Sequence, residues 1–228
     1  MNQDHNAPPL NPLPPIVWLL ALPMVAIELA VSMGAGGVVG GANAVGWRLE
    51  MLQKYAFAPD YARQLWETSQ FPLDGLMRFV SYPFVHGSMT HALFAVVILL
   101  AMGKFVGEIF RWWALLAVFV VSSIAGGLAY MVVPEIHAPL FGAYPPVYGL
   151  IGAFTFLLWV RLAGTGVNQF RAFTMIGFLL GIQLVFGVLF GGGWDWVADI
   201  AGFVAGFFLS FVVSPGGLGR VADRLRQR

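Results

Sequence analysis

Apolar residues dominate six stretches of the chain, at about Pro15–Ser32, Thr90–Val106, Trp113–Val133, Val147–Val160, Phe173–Phe190 and Trp196–Val213. Polar and charged residues fall mostly in the breaks between them. A helix that crosses a bilayer takes roughly 20 residues, within a range of about 17–25. Five stretches meet or nearly meet that length. The pattern predicts an all-α, polytopic membrane protein built as a six-helix bundle. The fourth stretch is short: fourteen residues at ~1.5 Å each reach only ~21 Å, against a hydrocarbon core of ~30 Å. Such a helix is expected to start below one membrane surface, at the floor of a cavity, because irregular backbone at that depth needs cover from protein or water.

The break between the first two stretches, Gly41–Val85, is itself rich in Trp47, Tyr55, Phe57, Tyr61, Leu65, Trp66, Phe71, Leu76 and Phe79. It is too apolar to float in water. Two or three short helices at the membrane interface are expected here, with Trp and Tyr at headgroup level. Pro59-Asp60 reads as a turn with an N-cap, and Pro72 with Asp74-Gly75 as another. The domain reading is a disordered cytoplasmic tail over 1–14, a membrane domain over 15–213 with the interfacial loop 41–85, and a basic cytoplasmic tail over 214–228. Met1–Pro14 contains no Lys or Arg, so the first stretch lacks the basic n-region of a signal peptide.

Composition agrees. Hydrophobic residues make up 59% of the 228 and charged residues 10%, with a mean hydropathy of +0.79, where soluble domains carry about 25% charged residues. The absence of cysteine excludes a disulfide scaffold and thiolate chemistry. With 12 Lys+Arg against 11 Asp+Glu, no strongly basic face is available, and neither nucleic acid nor nucleotide is expected as a partner. If both ends are cytoplasmic, the inside segments hold Lys104, Arg111, Arg161, Arg171, Arg220, Arg224, Arg226 and Arg228, and the outside segments hold Arg48, Lys54, Arg63 and Arg78. Eight against four favours N-in and C-in. The four arginines of the last segment are expected to anchor it at an anionic leaflet, at about 1 kcal/mol per charge.

Lipid tails give helices no hydrophobic reason to associate, so close approach at small residues does that work. Ala198, Gly202, Gly206 and Ser210 form one small face on the sixth stretch; Gly177 and Gly181 lie on the fifth, and Gly149, Gly152 and Ala153 on the fourth. The short fourth helix is expected to pack against the fifth and sixth. Ionisable residues at depth are functional candidates: Glu28 in the first span, His86 and His91 around the start of the second, and Asp199 one turn inside the sixth. On one straight helix His86 and His91 would be about 140° apart and could not grip one metal ion. Only His5 and His137 remain, so no metal and no cofactor is expected. The two histidines are expected to hydrogen-bond the loop onto the bundle.

Three segments resemble the rhomboid family of intramembrane serine proteases. His86-Gly87-Ser88-Met89-Thr90-His91 resembles the family's His-x4-His segment, with Gly103 and Glu108 closing that helix. Gly142-Ala143-Tyr144-Pro145-Pro146-Val147-Tyr148-Gly149-Leu150-Ile151-Gly152-Ala153 resembles its Gly-x-Ser-Gly segment. Ala198-Asp199-Ile200-Ala201-Gly202-Phe203-Val204-Ala205-Gly206 resembles its Ala-His-x-x-Gly-x-x-x-Gly. The resemblance covers about Leu76–Val213 and implies a rhomboid-like bundle in which His86, His91, Tyr148, Gly149, Gly152, Gly202 and Gly206 are scaffold.

Against that pattern Tyr144 stands where the family has its nucleophilic Ser, Asp199 where it has the general-base His, Ala95 where it has an oxyanion-binding Asn, and Pro145 where a Gly follows the nucleophile. Met77-Arg78 replaces a Trp-Arg pair. Hydrolysis by this route needs a nucleophile activated by an adjacent base. A phenol of pKa near 10 is a poor nucleophile towards an amide, and a carboxylate is a weak base for a hydroxyl. Loss of one oxyanion donor alone costs roughly 100- to 1000-fold. The resemblance thus implies a catalytically inactive scaffold in a bacterial inner membrane, binding a transmembrane client for its stability, assembly or turnover, with Tyr144 donating to Asp199 across the old site. The alternatives are an active serine protease using another hydroxyl such as Ser88, a structural subunit of a larger membrane complex, and a transporter built on Glu28 and Asp199. Ser122 and Ser123, mid-span, are expected to pack and back-bond to their own helix.

Overall fold

The computed structural model describes residues 12–163, 165–190 and 193–217. The first eleven residues with His5, and the arginines of the C-terminal segment, lie outside them. Nine α-helices occur among the described residues: α1 (Pro15–Ala35), α2 (Trp47–Tyr55), α3 (Pro59–Glu67), α4 (Leu73–Ser81), α5 (Met89–Gly107), α6 (Trp112–Val132), α7 (Tyr144–Leu162), α8 (Thr174–Phe190) and α9 (Asp195–Val213). Short 3-10 turns precede α2, α5 and α8, and no strand longer than a single bridge occurs among the described residues. Five helices, α1, α5, α6, α7 and α9, are long and apolar enough to cross a membrane. With 17 residues, α8 falls just short of their length.

The fourth apolar stretch is not short. Helix α7 begins at Tyr144 and has 19 residues, about 28 Å at ~1.5 Å per residue. Pro145 and Pro146 occupy its first turn, where the missing N–H has no intrahelical partner to lose and the fixed φ suits the helix. The helix starts three residues before the apolar stretch Val147–Val160 and ends two after it, so its N-terminus does not lie at depth on account of shortness. Helix α7 is nonetheless central. Of its apolar stretch 61% is buried, against at most 44% in the other four long helices.

Turn signals in the segment before α5 were misplaced. Pro59 is the first residue of α3, after Ala58 at the N-cap, and Asp60 makes no cap hydrogen bond. Asp74 and Gly75 lie inside α4. Gly75 is small because the Leu65 side chain of α3 fills the place of its Cβ.

Helix α7 packs most extensively on α9, then on α6 and α5. Gly202 and Gly206 of α9 lie against the carbonyls of Pro145 and Gly149 of α7, and Gly152 lies against the backbone of Phe203. Equal steps on both chains mean that the two helices run parallel and in register. The small faces of the fourth and sixth stretches meet as the spacing predicts. The fifth stretch differs: a Cβ added at Gly177 or Gly181 would meet no atom of the described residues within 4 Å. Helix α8 docks instead through Ile176, Met175, Leu179 and Leu180, so its glycine face points away from the bundle.

Candidate functional site

The N-termini of α5, α7 and α9 converge with the segment Tyr82–His86 and the loop before α7. Several contacts fix that loop. Phe57 and Leu140 exchange backbone hydrogen bonds of 2.9 and 2.8 Å. Gly142 N–H donates to the Tyr82 carbonyl at 3.0 Å. Arg63 on α3 donates to the carbonyls of Met131, Val133 and Ile136, at 2.9, 3.2 and 2.6 Å, and to Asp60. Asp60 also contacts His137 at 3.0 Å, and the hydrogen bond from Arg63, with that contact second, holds its carboxyl below the usual range. Gly142 has φ +92°, and the His91 ring occupies the space that a Cβ would need. Both facts require glycine there.

The loop delivers Tyr144 onto His91. Their rings stack at 5.1 Å between centroids and 18° between planes. His91 also meets Phe141 edge-on at 5.9 Å and His86 at 5.3 Å. The two histidines therefore do approach. The helical-wheel argument assumed one helix, whereas α5 begins only at Met89 and Val85 is extended. No group of three metal-ligating side chains occurs among the described residues.

Nor do the imidazoles hold the loop by hydrogen bonds. His86 is 3% exposed, and neither ring nitrogen has a hydrogen-bond partner among the described residues. Its backbone does the tying: the His86 carbonyl accepts from Arg48 at 2.8 Å. Arg48 also donates to both oxygens of Glu28, at 2.9 and 2.7 Å, and to the Ser32 hydroxyl at 3.1 Å. Glu28 is thus half of a fork-to-fork ion pair joining α1, α2 and the His86 segment, a geometry favoured by the planar guanidinium. Arg48 escaped notice in the sequence because it counted only as a loop charge. A lone carboxylate in a span demands a cation within reach, and that demand was the available signal.

Burial, and secondarily the neighbouring His91, pushes His86 down to about 4. Glu28, which acts to raise it, and Arg48, which lowers it, are the other charges felt by the ring. The folded protein therefore binds fewer protons here than the unfolded chain. The stabilisation is complete above the unfolded pKa near 6.5 and is lost as pH falls towards 4. Thermal unfolding in detergent at pH 7.5 and pH 5 is expected to show a lower midpoint at pH 5, and His86→Phe is expected to shrink that difference. An undiminished difference in the variant would assign it elsewhere.

Asp199 is 2% exposed on α9. Tyr82, which lies outside the long helices, is fully buried, and burial pushes it well above 10; its hydroxyl donates to the Ser123 carbonyl at 3.0 Å. Tyr130 donates to Asp195 at 3.2 Å. Ala95 is fully buried in the core, with Tyr148 buried in the same cluster.

Two of the candidate hydroxyls are engaged elsewhere and two are buried without a hydrogen-bond partner among the described residues. Ser88 caps α5, accepting from the His91 backbone N–H at 3.1 Å. Ser123 back-bonds to the Phe119 carbonyl at 2.9 Å. Ser122 does not back-bond as expected; its Oγ is buried without a hydrogen-bond partner among the described residues and pressed against Gly149. Thr155 Oγ1 is likewise buried without one. No serine or threonine hydroxyl among the described residues is hydrogen-bonded to the ring of His86 or His91. The arrangement presents an aromatic stack over buried polar groups. Among the described residues no serine or threonine hydroxyl is aligned with an imidazole base.

No curated protein matches the chain. A family model described as the rhomboid domain matches residues 73–216, well over half of the 228.

Proposed function

Since this chain belongs to the rhomboid family, we propose that it is a catalytically inactive member that binds a transmembrane helix of a client or partner protein and holds it for stability, assembly or turnover. The observation that carries this reading is the start of α7. Tyr144 stands at the family's nucleophile position with its ring stacked on His91. Pro145, next in line, has no N–H to offer a developing oxyanion. Asp199 takes the place of the base, and a Tyr144 hydroxyl donating to it would satisfy both groups and close the old site.

On this reading α8 is the sixth membrane crossing, both termini are cytoplasmic and the membrane is a bacterial inner membrane. The client enters between α5 and α8. The open glycine face of α8 supports this, because small residues let another helix approach closely.

Two measurements test the proposal. Purified full-length protein is expected to resist a serine-directed fluorophosphonate and to leave transmembrane peptide substrates intact; labelling at any residue, Ser88 included, would establish an enzyme. A photo-crosslinker at the exposed Phe178 of α8 is expected to capture a transmembrane segment in native membranes. The same probe at the exposed Leu128 of α6 is the control. Equal capture from both positions would remove the client-binding reading.

A further inference from the structure

Away from the candidate site, α1 and α2 enclose a groove of about 470 Å³ lined by Ala26, Ile27, Ala30, Val31, Trp47, Glu50 and Met51. Its volume falls in the range of small-molecule sites, about 300–1,000 Å³. Its walls are apolar with one exception, the Glu50 carboxylate. The groove follows from side-chain size. Leu22, Val25, Leu29 and Met33 stand exposed along α1, while Ala26 and Ala30, one turn apart, leave a furrow beside them.

Depth is set by the helix and the indole. Helix α1 is long and apolar enough to cross the membrane, so Ala26–Ala30 lies at acyl-chain level. Trp47 marks the headgroup level, where indoles concentrate. Glu50 therefore sits at the boundary, with Lys54 one turn further along α2. Residues four apart share a helix face, yet no ion pair joins these two among the described residues. The Lys54 ammonium lies 5.3 Å from the centre of the Tyr55 ring instead. The groove thus presents an anion above an apolar furrow, with a cation one turn beyond it on the same helix, and neither belongs to an ion pair among the described residues.

We propose that this groove is a binding site for a phospholipid with a primary-amine headgroup, its ammonium on Glu50, its phosphate on Lys54 and an acyl chain along Ala26–Ala30. The charge order matches a zwitterionic headgroup. The primary amine is selected over a quaternary one because only the former donates hydrogen bonds to a carboxylate. An anionic headgroup is disfavoured by Glu50 itself.

The test is native mass spectrometry of the delipidated full-length protein with equimolar phosphatidylethanolamine, phosphatidylcholine and phosphatidylglycerol of identical chains. Retention of the ethanolamine lipid about tenfold above the choline lipid is expected, corresponding to ~1.4 kcal/mol. Glu50→Gln is expected to remove that preference, and Lys54→Gln to weaken both zwitterionic lipids alike. Ala30→Phe is expected to abolish the bound lipid while leaving the melting curve unchanged, since Ala30 is exposed. Soluble phosphoethanolamine is expected not to compete. Equal retention of ethanolamine and choline lipids, preference for the glycerol lipid, an unchanged preference in Glu50→Gln, full retention in Ala30→Phe, or competition by the soluble headgroup would each overturn the proposal.

Discussion

Gly206→Leu is expected to cost the protein its fold or most of its stability. The Gly149 carbonyl of α7 lies where a Gly206 side chain would begin, and Gly202 meets Pro145 in the same way one turn earlier. A leucine therefore meets backbone, which has no rotamer to yield. Overpacking a core typically costs 1–3 kcal/mol. Here two helices must separate along their whole register, so a loss above ~3 kcal/mol is expected. The measurement is the thermal midpoint in detergent, with the monodisperse fraction on size exclusion. Gly181→Leu is the matched control. Its surroundings are open, and no comparable fall is expected. A similar fall in both variants would refute the packing described for α7 and α9.

Arg48→Leu is expected to be the second most damaging substitution, at about 3 kcal/mol, the lower end for breaking a buried ion pair. Four hydrogen bonds to three partners are lost together: the two Glu28 oxygens, the Ser32 hydroxyl and the His86 carbonyl. The Glu28 side chain, 6% exposed, is left without its cation. Arg48 itself is 23% exposed, which keeps the figure below that of a fully buried pair. The double variant Glu28→Leu with Arg48→Leu is expected to recover part of the loss, because no charge is then stranded. Additive losses in the two single variants would show that the pair is not coupled.

The two variants show what was legible in the sequence. The α7–α9 seam was written in the repeat Ala198, Gly202, Gly206, Ser210, since small residues four apart have few uses in lipid other than contact. The same logic failed at Gly177 and Gly181, because spacing shows that a face is small and not what covers it. Helix α7 starts at Tyr144, before the apolar run at Val147, because Pro145 and Pro146 fit a first helical turn. Proline marks both the ends and the first turns of helices, and the sequence alone did not separate these cases. The tyrosine, aspartate and alanine departures could be read residue by residue. The stack of Tyr144 on His91 could not, because it depends on the course of a loop fixed by Phe57, Arg63 and Gly142. Arg48 and Glu28 are twenty positions apart, too far for any local periodicity to couple them.

The bridge between Phe57 and Leu140, reinforced by the Arg63 contacts, joins the short-helix segment to the loop that delivers Tyr144. The place of the Tyr144 ring over His91, four residues downstream of Leu140, therefore depends on contacts made from α3 and the residues just before it.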